Sequence, residues 1–256
     1  MAIEKVEGIV IGEILYGEAS KILKIFTKKY GIISVMSKGC RKTKSTLKTA
    51  STKLSYALFD IKYKETGVST LINASIINIF KNITMDYKDF NKKIYAFALT
   101  NLTTQTLNQK QIRKEELEKI YEIYLSALIK IDENFDAKII LSIVKLKLLE
   151  YLGVKPSIDC CSNCGNDSEI VTISSESYGY ICKHCYTNEK IVSKDVIKMI
   201  RMLYYVDIKR IKKLNISNDI LEEIFSFLND YYEEHTGIYF KIDDKFKSLA
   251  KLGEIK

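Results

Sequence analysis

Five of the six cysteines in this 256-residue chain fall between positions 160 and 185. They read Cys160-Cys161-Ser162-Asn163-Cys164-Gly165, then Cys182-Lys183-His184-Cys185. Pairing Cys161 with Cys164 and Cys182 with Cys185 gives two C-x2-C knuckles separated by 17 residues. That spacing is a metal-site signature. Each pair chelates through two thiolates, and Gly165 lets the backbone turn sharply enough to aim amides at sulfur. Four thiolates in a tetrahedron suit zinc and leave it no open position, so the expected role is structural. Such an ion contributes on the order of 10 kcal/mol of folding energy to a small module. Lys183 softens the negative charge of the thiolate set. An iron–sulfur cluster, a disulfide pair and no metal at all are the competing readings. Cys160 reads as a bystander, because its gap to Cys164 is one residue too long. His184 fits less well than its neighbour Cys185, and Cys40 stands alone in sequence. His235 reads as a histidine at a helix end, where its partial charge is favourable.

The second chemical signal is charge. The chain carries 40 Lys+Arg against 32 Asp+Glu, a net of +8. Residues 1–80 hold +7 of that, and residues 81–256 hold +1. From Ala19 to Phe59 there are ten basic residues and no acid. They include Lys28, Lys29, Lys38, Arg41, Lys42, Lys44 and Lys48. A basic block without acidic neighbours forms a positive field suited to phosphates, so nucleic-acid binding is the functional reading. A solvated lysine face is the bland one. Tyr56, Phe59 and Tyr63 are candidate stacking surfaces, with barrel core the competing role for Phe59.

Nothing points as clearly to catalysis. There is no Walker motif, GxGxxG, HExxH or G-x-S-x-G, and two histidines offer little choice of general base. Carboxylate pairs such as Glu233-Glu234 and Asp243-Asp244 read as surface features. No apolar run reaches the length of a membrane span. Met1–Glu7 has no apolar signal core, so a cytoplasmic protein is expected.

The elements that must position these groups fall into two kinds. Val6–Ile11, Ile22–Phe26, Ile32–Met36, Leu54–Tyr63, Val68–Ile72 and Ile76–Phe80 read as short strands. Gly8 and Gly12 read as breaks, and Ser37–Thr52 as a long basic loop. Five or six strands in 80 residues predict a small closed barrel, since an open sheet leaves edges exposed. After Phe80 the apolar period becomes helical. Helices are predicted over Phe90–Leu107, Ile112–Ile131, Phe135–Leu152, Ser193–Tyr205 and Asn218–Glu234, the last two capped by Ser193 and Asn218. The third is the most apolar, interrupted mainly by Lys138, Lys145 and Lys147, and is expected at the centre of a bundle. Gly153 and Pro156 end it. Ile170–Ser174 and Ser177–Ile181 predict a hairpin held by the metal. The expected class is α+β, with a barrel at 1–80, helical parts at 81–157 and 190–240, a zinc module at 158–189 and a charged tail at 241–256.

The order of motifs resembles a known family. Glu7-Gly8-Ile9-Val10, Tyr16-Gly17-Glu18-Ala19-Ser20-Lys21, Phe26-Thr27-Lys28-Lys29-Tyr30-Gly31 and Lys38-Gly39-Cys40-Arg41-Lys42 resemble the start of the bacterial recombination and repair proteins RecO. Leu149-Glu150-Tyr151-Leu152-Gly153-Val154-Lys155-Pro156, then Asp159 and the Cys161/Cys164 pair, resembles their middle. Tyr231-Tyr232-Glu233-Glu234-His235-Thr236-Gly237 resembles their last helix end. The resemblance implies an N-terminal OB-fold, a helical domain and an inserted zinc module. It implies binding of single- and double-stranded DNA and annealing of complementary strands. It further implies work with RecR, and usually RecF, in loading RecA onto SSB-coated strands, with the SSB C-terminal tail received by the helical body. Lys38, Arg41 and Lys42 fit the family's basic loop and become the leading phosphate contacts, extended by Lys44 and Lys48. The alternative is an adaptor that docks SSB or RecR through its helices, with DNA contact secondary. Lys241 followed by Ile242, Asp243 and Asp244 departs from the family's basic C-terminal stretch, which puts a contact there in doubt.

Overall fold

The computed structural model describes residues 3–86, 90–109 and 112–239. The charged tail expected at 241–256, with Asp243 and Asp244, lies outside the described residues. The chain forms two compact units, one of residues 3–86 with 113–122, the other of the remaining described residues.

The first unit is a closed barrel, as expected. Its strands are β1 (Ile3–Tyr16), β2 (Ser20–Thr27), β3 (Gly31–Ser37), β4 (Tyr56–Lys62) and β5 (Val68–Asn78). They close in the order β1-β2-β3-β5-β4, with β4 returning to β1. Only the β3–β5 pairing is parallel, at Ser34↔Val68 to Met36↔Thr70. This is OB-fold topology. Alternation puts Val6, Val10, Leu23, Ile25, Val35 and Phe59 in one apolar interior.

Two strand boundaries differ from expectation, for the same reason. Gly12 does not end β1; a register shift between Val10 and Gly12 absorbs it, and the strand continues to Tyr16. Gly8 sits mid-strand because a Cβ there would lie 2.6 Å from Ile25 Cγ2 and 2.9 Å from the Phe26 oxygen. The two segments expected at 68–72 and 76–80 are one strand, carried past a register shift at Asp60/Ile61. Bulges let a long strand bend around a small barrel. Phe80 lies beyond β5, with φ 47°, and leads into the short helix α1 (Lys81–Thr84).

Within the same unit, Arg113–Glu122 lines up with the barrel. These residues include the first turns of α3 (Lys114–Asp132). Leu117 lies over Gly31, and Tyr121 meets the buried Phe26 edge-on at 5.2 Å.

The second unit holds α2 (Phe90–Gln109), the rest of α3, α4 (Ala137–Tyr151), α5 (Lys194–Tyr205) and α6 (Asn218–Thr236). Eleven of the fifteen residues of α4 are buried, and it packs against α2, α5 and α6. Asp136 caps it by accepting from the Lys138 and Ile139 amides. Ser193 caps α5 as expected, its hydroxyl accepting from the Val196 amide at 3.2 Å. At α6 the capping position is Ser217, and Asn218 is already helical. Between α4 and α5 lie β6 (Ile170–Ser174) and β7 (Gly179–Cys182), an antiparallel hairpin. Among the described residues no helix is long and apolar enough to cross a membrane.

Candidate metal centre and nucleic-acid interface

The sulfur atoms of Cys161, Cys164, Cys182 and Cys185 all lie within 4.8 Å of one another, and those of Cys164 and Cys182 are 3.6 Å apart. A zinc ion with ~2.3 Å bonds to four thiolates needs sulfur separations of about 3.8 Å. The geometry therefore suits a metal. Each knuckle is closed by a backbone bond, Gly165 N–H to the Cys161 oxygen at 2.9 Å and Cys185 N–H to the Cys182 oxygen at 3.1 Å. Gly165 turns the chain at φ +75°.

The thiols are electrostatically divided. Burial opposes ionisation of Cys161, yet amides of Cys182, Cys164 and Asn163 outweigh it and bring that thiol down to about 6. Cys185 moves the other way, to about 12, led by its hydrogen bond with Cys164. Four neighbouring sulfurs do not all ionise comfortably without a cation between them, which is the chemistry a divalent metal supplies. Neither Cys160 nor His184 belongs to this cluster. Cys160 accepts through its carbonyl from Ser157 Oγ at 2.9 Å, and His184 stands exposed, 3.5 Å from Glu169.

The hairpin is fixed from two sides. Ser157 brackets Gly179 with two backbone bonds: its N–H donates to the Tyr178 oxygen and its oxygen accepts from the Tyr180 N–H, at 2.8 Å each. The approach is so close that a Cβ on Gly179 would lie 2.2 Å from the Ser157 oxygen, and its φ is +145°. From α6, His235 Nε2 donates to the Ser175 oxygen at 2.8 Å. Its ring stacks on Tyr178 at 4.1 Å and meets Tyr231 edge-on at 4.5 Å. The histidine expected at a helix end is thus an anchor for the hairpin turn. Ser175 and Tyr178 are far from it in sequence, so composition alone gave no sign of that role.

The basic residues sort into two groups. Lys38, Arg41, Lys42, Lys44 and Lys48 are all exposed on the segment joining β3 to β4. This segment is ordered by its base. Cys40, Ala50 and Leu54 are buried, and Thr49–Ser51 forms a 3₁₀ turn. Arg41 N–H donates to the Ala19 oxygen at 2.9 Å, and Gly39 N–H to Ser20 Oγ at 3.1 Å. These bonds tie the loop to the β1–β2 turn. Lys28 and Lys29 are differently placed: each meets a carboxylate, Glu122 at 3.0 Å and Glu4 at 3.1 Å.

The aromatic candidates are already engaged. Phe59 is core, Tyr63 stacks on Tyr30 at 4.1 Å, and Tyr56 donates to Glu7 at 2.6 Å. Sequence reasoning missed the exposed trio Ile14, Leu15 and Tyr16, which ends β1 beside the basic loop's attachment. The only sequence signal was apolar character continuing past Gly12.

The family profile described as Recombination protein O N terminal matches residues 1–80, and Recombination protein O C terminal matches residues 87–243. The chain belongs to the RecO family. It is 30% identical over 254 residues to the DNA repair protein RecO of Bacillus pumilus, covering 97% of this chain and 96% of that relative. It is 28% identical over 251 residues to the protein of the same name in Listeria innocua, covering 97% and 95%. RecO membership carries a general role in recombinational DNA repair, and a non-catalytic one.

Proposed function

We propose that this RecO-family protein anneals complementary DNA strands and, with RecR and usually RecF, helps load RecA onto SSB-coated single strands. The observation carrying the DNA-binding step is the loop at 38–48, where five exposed cations stand on an ordered base with no acid in that segment. Cations at Lys38, Arg41, Lys42, Lys44 and Lys48 neutralise phosphates without reading bases. Lowered repulsion between two loosely held strands lets complementary bases pair, and no covalent step is required. The same reading assigns the protein to the cytoplasm and gives the helical unit the SSB C-terminal tail as a partner.

The test is annealing of complementary SSB-coated oligonucleotides. Addition of the protein should accelerate duplex formation, and Lys38→Ala/Arg41→Ala/Lys42→Ala should abolish most of the gain. Equal rates with and without the protein would sink the annealing role.

Zinc is the proposed ion of the four-cysteine cluster, held by Cys161, Cys164, Cys182 and Cys185. Purified protein should contain about one zinc per chain, and Cys161→Ser should lose it together with several degrees of melting temperature. Metal-free protein with an unchanged melting curve would rule the structural role out.

A further inference from the structure

The near-neutral total of residues 81–256 hides a local excess. From Lys194 to Lys213 there are seven basic residues and two acids, a net of +5. Lys198, Arg201, Lys209, Arg210, Lys212 and Lys213 are all exposed. On α5 the residues Lys194, Lys198, Arg201, Met202 and Tyr205 follow helical spacing, so they share one face. The opposite face, with Val196, Ile200 and Leu203, is buried.

Two groups on the exposed face are held in place. Tyr205 donates its phenol hydrogen to Asp159 Oδ2 at 2.5 Å, and Arg201 Nε donates to Asp159 Oδ1 at 3.0 Å. The hydrogen bond from Tyr205, with Arg201 beside it, holds the Asp159 carboxyl below its usual value and keeps it an acceptor. The clamp uses the polar end of the tyrosine and leaves the side chain 55% exposed, beside the exposed Met202. A fixed, exposed ring on a face that also carries the exposed Lys198 and the Asp159-paired Arg201 suits a nucleobase and its phosphate. Fixing the ring in advance also removes rotamer entropy from binding.

We propose that this face of α5, centred on Tyr205 and Arg201, is a second contact for single-stranded nucleic acid, in the unit that does not contain the barrel. The inference rests on the reading of the chain as a DNA-binding protein. It adds a base-stacking site to the phosphate-binding loop at 38–48.

The test uses the full chain and two fluorescent single strands of equal length, one of thymidines and one of abasic sugars. Tyr205→Ala should weaken the thymidine strand about fivefold or more and leave the abasic strand unchanged. Tyr205→Phe should recover most of that loss. Lys198→Ala should weaken both strands and lower the log–log salt slope by about 0.7. Zinc content and melting temperature check that each variant folds. Tyr205→Ala acting equally on both strands, or on neither, would overturn the proposal. So would loss of binding to an acidic, apolar-ended peptide with DNA affinity intact, which would reassign the face to a protein partner. Lys38→Ala/Arg41→Ala/Lys42→Ala is measured in parallel. If it leaves affinity unchanged while Tyr205→Ala separates the two strands, the barrel reading fails and this one stands.

Discussion

Lys145 lies fully buried in α4, its ammonium 2.5 Å from Asn229 Oδ1 and 4.6 Å from the centre of the Phe225 ring. Burial brings its pKa down to about 7, partly opposed by the charge of Asp230. The unfolded lysine keeps its proton up to about pH 10.4, so between 7 and that value the unfolded chain binds the extra proton. Stability should therefore rise with pH from about 7 upward through this group. Urea midpoints at pH 7 and 9 should climb for the parent and climb less for Lys145→Met; parallel pH profiles would contradict the assignment. The hydropathy pattern marks Lys138, Lys145 and Lys147 alike as interruptions of an apolar helix. Only packing separates them. Lys138 reaches Glu222, and Lys147 donates to the Tyr204 oxygen at 2.7 Å. Long side chains carry their charge past the apolar surface they cover, so position along a helix does not fix where the charge ends up.

At the scale of elements, the four-cysteine hairpin shows what a linear pattern carries and what it omits. The x2 gaps and the β-rich segment at 170–174 are local, and both the cluster and β6 follow from them. The partners that hold the hairpin are not local. Ser157 meets Gly179 across 22 positions and His235 meets Ser175 across 60. Gly179→Ala would drive a methyl into the Ser157 backbone at a φ that alanine rarely adopts. The variant should lose about 2 kcal/mol or more and give up the proposed zinc faster to a chelator. Parent-like release kinetics would show that the Ser157–Gly179 approach is not what positions the hairpin. The barrel was legible for a similar reason: its strands carry apolar alternation that survives local irregularity. The merger of 68–72 with 76–80 was not, because a bulge depends on the neighbouring strand.

At the scale of the whole molecule, the charge asymmetry becomes two surfaces of different construction. The loop at 38–48 presents point charges on a fixed base, whereas Lys28 and Lys29 from the same acid-free block are engaged with Glu122 and Glu4. Sequence could define the block but not subtract those two, since their acidic partners come from α3 and β1. Neutralisation of phosphates by the exposed loop is read from the affinity of a single-stranded oligonucleotide across a salt series, for the parent and for Lys38→Ala/Arg41→Ala/Lys42→Ala. Three lost phosphate contacts should flatten the log–log slope by about 2, with weaker binding at low salt. A triple variant with the parent's slope and affinity would contradict phosphate binding by this loop.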